Sequence, residues 1–401
     1  MNFVFISPNF PTDYARFCVC LKENGVNVLG IGDASYDSLR DDLKWALTEY
    51  YRVDSLENYD DMIRAMGYFT GRYGKMDWVE SNNEYWLELD AALRTDFNIL
   101  TGLKSDEVGR FRSKSGMKAY YEKAGVPTAR WQMATDLASA LAFAEEVGYP
   151  VVVKPDRGVG AEATYKLKSE ADMRGFFSEL PPVPYIMEEY IRGEVTTFDG
   201  IANSQGKVIF SVSHITPDSI MDMVNEGIPV WYYVDRKVPA DVRRMGEKTL
   251  EVFDVRSRAF HLEFFRLTED KPGLGKAGDL IGLEVNMRPA GGFTPDMINV
   301  SQSVDMFRIW ADMVCFDERV HRFEGPKGYS VYVGRRDDTD YTLSGGELYE
   351  KYERNIFRMG EMPPAIGRAM GNQYILALFD DKAEMQAFVS DVFAPIKLKF
   401  R

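Results

Sequence analysis

Cysteine and histidine are scarce in this 401-residue chain, with three of each. Cys18, Cys20 and Cys315 are too few for a disulfide framework. Cys18 and Cys20 sit in a helical pattern without partner ligands, so all three read as structural thiols. His214, His261 and His321 are scattered, and no Ser-His-Asp or Cys-His set presents itself, so there is no visible machinery for covalent catalysis. Positive charge is the minority sign: 48 Lys and Arg against 62 Asp and Glu, a formal net of -14, with no basic run long enough to track a phosphate backbone. Nucleic acid is therefore excluded as an expected partner. No apolar run reaches the roughly 18 residues of a membrane span, and the opening "MNFVFISPNF" lacks a charged leader and reads as a first strand. The expectation is a cytoplasmic protein with no membrane partner.

What is present is core material, 45% hydrophobic residues in a chain long enough for two or three domains. "NFVFISP", "DYARFCVCLKENG" and "VNVLGIGD" read as strand, helix and strand, and "EYYRVDS" and "DWVES" continue the pattern. Together they suggest a small doubly wound parallel sheet over about the first hundred residues. Gly30 and Gly32 begin a G-x-G, but Ser35 stands where a dinucleotide fingerprint needs its third glycine, so they read as a strand-end turn. Turn residues cluster near Leu103 to Asp106 and near Pro326, dividing the chain into 1–105, 106–325 and 326–401. The last segment contains "QYILALFDDKAEMQAFVSDVFAPI", a strand followed by a helix, which reads as a small α+β unit that covers a cleft or makes a dimer contact.

The loop "KPDRGVGAEAT" follows an apolar strand. Gly158 and Gly160 free backbone N–H groups to face an anion, and Lys154 adds a fixed positive charge, a combination that suits a polyphosphate. It is not a Walker A loop, because the G-x-x-x-x-G-K-[ST] order is missing; an ordinary hairpin with a surface lysine is the plain alternative. "GLGKAG" lacks the hydroxyl that a P-loop gives to magnesium and reads as a solvent loop. The strand "YIMEEYI" carries Glu188 and Glu189 and leads to Glu194, acids able to accept from ribose hydroxyls or an exocyclic amine, or simply to line a solvated edge. Lys114, Lys118 and Lys123 lie on one upstream helix.

"FHLEFFRL" and "IGLEVNMRPAGG" place acids inside apolar runs. Strand alternation puts Glu284 and Asn286 on one face, and Glu263 belongs to the neighbouring run. Three oxygen donors on two strands suit Mg²⁺. A lone buried carboxylate would otherwise cost several kcal/mol unless paired, for example with an arginine. Arg288 can neutralise a transferring phosphoryl group, and Gly291 and Gly292 let backbone approach a substrate. His261 shares a face with Glu263 and reads as a packed strand histidine.

The ordered series Lys114, "GVP", "VVVKPDRGVGA", "IMEEYIRGE", "HLEFF" and "GLEVNMRPAGG" resembles the ATP-grasp superfamily, particularly its carboxylate-amine ligases. The resemblance implies a mixed α/β and α+β chain. A small α/β domain precedes an ATP-grasp fold of two α+β subdomains clasping ATP, and a small α+β unit follows. It further implies that Lys114 and Lys154 contact ATP phosphates. The glycine loop with Gly158 and Gly160 would cover them, and Glu188, Glu189, Tyr190 and Ile191 would line the adenine pocket, with Glu194 or Glu189 on the ribose. Glu263, Glu284 and Asn286 would hold Mg²⁺, with Mn²⁺ as an alternative ion, and Arg288 would face the γ-phosphate and an acyl phosphate. The implied reaction is ATP-driven amide formation between a small carboxylate and an amine, both amino-acid-like, releasing ADP and phosphate, and a homodimer is compatible with it. A carboxylase or carbamoyl-phosphate type of enzyme and a non-catalytic nucleotide-binding scaffold remain the alternatives. Glu80 or Glu84, in "DWVESNNEYWLELD", would hold the amine of an amino-acid substrate, or that stretch is a helix start capped by Ser81 or Asn82.

Overall fold

A computed structural model describes residues 1–158, 163–218, 223, 228–398 and 400, without the side chains of 364, 365 and 368. The first sheet is parallel and four-stranded. It comprises β1 (Asn2–Ile6), β2 (Asn27–Gly32), β3 (Glu49–Arg52) and β4 (Trp78–Glu80) in the order β3-β2-β1-β4. After Asn2 and Asn27 at their starts, its central strands carry only apolar residues and glycine, because both faces are covered. Phe3, Phe5 and Val28 pack with the helix Ala15–Glu23, while Val4, Ile6, Leu29 and Ile31 pack with the helices Tyr59–Tyr73 and Leu87–Asp96. The doubly wound sheet expected from the sequence is therefore present. Cys18 and Cys20 are buried thiols on the first of these helices.

The second sheet is antiparallel, ordered β5-β8-β6-β7, from β5 (Trp131–Met133), β6 (Val151–Pro155), β7 (Tyr165–Leu167) and β8 (Tyr185–Glu189). One face, with Val151, Val153 and Met187, packs on the helices Leu137–Val147 and Glu170–Ser178. Alternation then turns Lys154 and Glu188 to the other face.

The third sheet has nine strands among the described residues. They are β9 (Gly193–Ala202), β10 (Val208–Val212), β11 (His214–Thr216), β12 (Val230–Val234), β13 (Arg258–Leu267), β14 (Leu280–Asn286), β15 (Tyr329–Arg335), β16 (Ile356–Glu361) and β17 (Gln373–Phe379). The main path runs β14-β13-β9-β11-β12-β15-β17-β16, with β10 also on β9. Strands β15 to β17 join through the β12–β15 pairing, so residues beyond 326 complete this sheet instead of standing apart from it.

The parts are fastened together at two places. Helix Met306–Phe316 presents Trp310 to Phe3, Phe5 and Phe17, with ring centroids 4.8 to 6.3 Å apart. At the second, fully buried Arg94 donates to the carbonyls of Val79 and Leu103 and to Glu80, and buried Arg258 of β13 donates both to Glu80 (3.3 Å) and to the Met287 carbonyl (3.0 Å). Burial works against the Glu80 charge, but the two guanidiniums overcome it and hold its carboxyl below the usual range. The end of β4 is thus locked to the segment just after β14.

Behind β9, the helix Ala240–Val252 passes so close that a Cβ on Gly246 would lie 2.2 Å from Cδ1 of fully buried Phe198. Gly246→Ala gains about 1 kcal/mol of helix propensity, but overpacking typically costs about 1–3 kcal/mol where the neighbour cannot yield. The expected result is a lower denaturant midpoint with an unchanged slope; an unchanged or raised midpoint would show that Phe198 can move aside.

Candidate active site

The lysines come first. Helix Lys114–Lys123 starts at Ser113, whose hydroxyl accepts from Gly116 N, and Asp156 ties that start to the end of β6 by accepting from Ser113 Oγ and Ser115 N, both at 2.8 Å. Lys114 is therefore fixed beside the glycine loop, and its ammonium donates to the Gly158 carbonyl at 3.2 Å. Gly158 has φ of +135°, which the absence of a Cβ permits. Gly160 lies outside the described residues. One turn along the helix, Lys118 meets Glu188 Oε1, while Lys154 Nζ reaches Glu188 Oε2 at 2.6 Å. Burial pushes the Glu188 carboxyl up, but the two ammonium groups outweigh it and bring it down to about 2. Burial lowers the pKa of Lys118 and of Lys114. Lys154 is opposed by the same burial, yet Glu188 raises it. Three cations against one engaged carboxylate leave this face of the second sheet positive, the requirement for holding phosphates.

Glu189 points away from the lysines. It accepts from Arg130 N (2.8 Å) and Arg130 Nη2 (2.7 Å) and lies 3.5 Å from Lys271 Nζ, an inter-segment clasp. Tyr190 and Ile191 lie in the connection between β8 and β9; Ile191 is buried beside Ala129, Leu267 and Ile281. Glu194 also stands apart, 4.0 Å from Arg266 and lining a cavity with Trp231 and Tyr233. The structure thus brings Glu188 into the lysine cluster and sets Glu189 and Glu194 in arginine contacts outside it.

Across the cleft, β13 and β14 pair so that Glu263 faces Glu284 and His261 faces Asn286. Burial raises the Glu284 carboxyl and the negative charge of Glu263 raises it further, with Lys114 at 3.9 Å in partial opposition. Glu263 is also opposed by burial, but His261, 2.8 Å away, holds it below its usual range. Asn286 is buried and its Nδ2 has no hydrogen-bond partner among the described residues. Two half-buried carboxylates in mutual repulsion beside a buried, under-used amide form an oxygen-rich donor set that fits a hard divalent cation. Arg288 follows at once, its Nη1 on the Pro289 carbonyl at 2.8 Å, close enough to bias Glu263 toward its charged form.

The first domain supplies a further wall. Glu80 is consumed by Arg94 and Arg258. Glu84 is buried, accepts from Arg112 at 3.2 Å through Oε1, keeps Oε2 without a partner among the described residues, and adds to the negative field at Glu284. Neither Ser81 nor Asn82 caps the next helix, which begins at Leu87 after Trp86; Ser81 instead donates to Asp90 at 2.6 Å.

Sequence reasoning also missed that two histidines it left scattered meet. His214 Nδ1 and His261 Nδ1 lie 2.7 and 2.6 Å from the two oxygens of Asp199. No motif carries that meeting; it arises because β9 lies between β11 and β13. Burial disfavours the His261 cation, but Asp199 and Glu263 raise its pKa to about 9.

Residues 119–302 match the family model of the ATP-grasp domain. The fold matches the L-amino acid ligase from Bacillus licheniformis, with a TM-score of 0.70, 15% identity, and 96% of this chain and 95% of that one covered. It also matches the biotin carboxylase domain of Hydrogenobacter thermophilus 2-oxoglutarate carboxylase, solved with MgADP and bicarbonate, at a TM-score of 0.68 and 17% identity over 94% of this chain and 86% of that one. The carbamoyl phosphate synthase large chain of Hyperthermus butylicus is 22% identical over 194 residues, which make up 47% of this chain and only 17% of that much longer protein. Residues 119–302 thus match the ATP-grasp domain, and the chain shares the fold of these solved structures. No helix of the described residues is long and apolar enough to cross a membrane.

Lys154→Met leaves Glu188 paired with Lys118 and so keeps the fold, while removing a cation from the positive face of the second sheet. Calorimetry is expected to show nucleotide affinity reduced by roughly 10- to 100-fold, the worth of a charge-assisted hydrogen bond; wild-type affinity in a folded variant would contradict the placement of Lys154.

Proposed function

We propose that this chain is an ATP-dependent carboxylate-amine ligase that forms an amide through an acyl phosphate and releases ADP and phosphate. The observation that carries this reading is the opposition across one cleft of a cationic face, Lys114 and Lys154, and a paired-carboxylate face, Glu263 and Glu284, with Arg288 at its edge. Such a cleft positions a triphosphate and stabilises charge during phosphoryl transfer.

Lys114 and Lys154 hold phosphate oxygens, the segment from Glu188 to Ile191 borders the nucleotide, and Arg288 neutralises the transferred phosphoryl group. Glu263, Glu284 and Asn286 would hold Mg²⁺, which supplies charge neutralisation to the phosphates when bound, and Mn²⁺ accepts the same donors. A carboxylate oxygen of the acid substrate attacks the γ-phosphorus, the bond to the β-phosphate oxygen breaks, and ADP leaves. The amine then attacks the acyl carbon, a C–N bond forms, phosphate leaves with the C–O electron pair, and the nitrogen gives up a proton. No side-chain nucleophile is required.

The substrates are small and amino-acid-like in this reading, because Glu84 offers a buried carboxylate oxygen with no partner among the described residues, matched to an ammonium group. Bicarbonate is the competing acid, favoured by the bicarbonate in the Hydrogenobacter structure.

Amino acids and bicarbonate supplied with ATP, Mg²⁺ and hydroxylamine test the reading. The expected outcome is a hydroxamate from an amino acid, with ADP in equal amount. AMP as the nucleotide product would contradict it, and ADP formation dependent on bicarbonate alone would favour the carboxylase class. Glu84→Gln is expected to raise KM for the amino-acid substrate by about tenfold or more, the effect of losing a charged hydrogen bond, while KM for ATP stays within about twofold; equal effects on both would show that Glu84 only supports the wall. Glu284→Gln is expected to abolish the Mg²⁺ dependence of ADP binding seen by calorimetry, and an unchanged dependence would remove Glu284 from the metal set.

A further inference from the structure

The ligase reading leaves one proton unassigned, the proton that the attacking amine must lose. The face of the large sheet that carries Glu263 continues across β9 to β11 in register: Glu263 lies opposite Thr197, and His261 lies opposite Asp199. On the next strand His214 is tied to Thr197, whose Oγ1 accepts from the His214 backbone N–H at 3.0 Å. The Thr197 hydroxyl in turn donates to Asp199 Oδ2 at 2.6 Å, the oxygen that also faces His214 Nδ1 at 2.7 Å.

These contacts fix the protons. An ionised carboxylate only accepts, so both Nδ1 atoms facing Asp199 carry hydrogen. His261 has its second nitrogen on Glu263 at 2.8 Å, so both of its ring nitrogens are engaged. His214 has no such second bond. Its Nε2 makes no hydrogen bond among the described residues, and with Nδ1 protonated that nitrogen keeps a lone pair. Asp199, His214 and His261 have the composition of a metal site, but each Nδ1 is engaged as a donor to a different Asp199 oxygen, which leaves neither free to bind a cation.

The His214 ring lies against that of His261 with centroids 5.4 Å apart and near Tyr232 at 5.9 Å. The Tyr232 hydroxyl accepts from Thr294 Oγ1 at 3.3 Å and lies 3.7 Å from where a Cβ would stand on Gly292. His214 is thus joined to Glu263 through His261 on one side, and on the other stands beside Tyr232, whose hydroxyl approaches Gly292 in the loop that follows Arg288.

We propose that His214, oriented by Asp199 and Thr197, is the general base that takes the proton from the amine as it attacks the acyl phosphate. The nitrogen forms its bond to the acyl carbon, its proton passes to His214 Nε2, phosphate departs with the C–O electron pair, and the imidazolium then releases the proton to water. Asp199 is a positioning residue in this scheme, since it touches only the histidines and Thr197.

The assignment rests on the ligase reading, and the test separates the two. The acid that wild-type protein converts to hydroxamate is offered in parallel with hydroxylamine and with the proteinogenic amino acids as amines. Hydroxylamine is weakly basic and attacks an acyl phosphate without help, whereas an ordinary amine needs its proton removed. In His214→Asn, which keeps a donor toward Asp199, amide formation is expected to fall by roughly 100-fold or more, the range of general-base catalysis, while hydroxamate formation falls by less than about tenfold. His214→Gln serves as a second variant, and calorimetric titration with MgADP confirms a folded cleft in each. Parallel loss of both products, or an amide rate near wild type, would overturn the assignment. Failure of the wild-type protein to give hydroxamate with any acid would instead overturn the ligase reading, and the base assignment with it.

Discussion

The site depends on one unfavourable contact, the cross-strand approach of Glu263 and Glu284 on a half-buried face of the large sheet. Two like charges partly withdrawn from water are tolerated only where compensation is built around them. Here His261 stands on Glu263, Lys114 approaches Glu284, and Arg288 closes the edge. Those partners come from different parts of the chain, so compensation of the two carboxylates joins the helix Lys114–Lys123, the third sheet and the loop after β14. A structure that needed only stability would replace such a pair with apolar side chains at little cost. In the proposed reaction a divalent cation would supply the positive charge that offsets this repulsion.

The same logic runs through the rest of the cleft with the signs reversed. Lys118 and Lys154 converge on Glu188, and the excess of cations over carboxylates faces the acids across the gap. The two faces are complementary to a triphosphate carried with a divalent ion, positive toward phosphate and negative toward metal. Arg258, buried and shared between Glu80 and the Met287 carbonyl, holds the first domain against this cleft and brings Glu84 to its wall. The ion pair at Glu80 thus serves geometry, while Glu84 keeps an oxygen available.

Much of this was legible in the sequence because local pattern determines it. Strand alternation in "GLEVN" put Glu284 and Asn286 on one face, and the apolar strands of the first hundred residues announced a sheet covered on both sides. Lys154 at a strand end before glycines was readable for the same reason. What could not be read depends on which strands become neighbours. The meeting of His214 and His261 on Asp199 follows from β9 lying between their strands, and no periodicity in the chain encodes that order. The destinations of Glu189 and Glu194 turn on Arg130 and Arg266, partners too distant in sequence to be paired by inspection. The strands beyond residue 326 read as a separate unit because each is bounded by turns, yet their hydrogen bonds run into β12.

The central claim is that the cleft moves a phosphoryl group from ATP onto a carboxylate. The most direct measurement is isotope transfer: an acid substrate labelled with ¹⁸O in its carboxylate is turned over with ATP, and the phosphate released is weighed by mass spectrometry. Passage through an acyl phosphate predicts one labelled oxygen in each phosphate formed, with ADP as the other product. Unlabelled phosphate from a productive reaction would contradict the account.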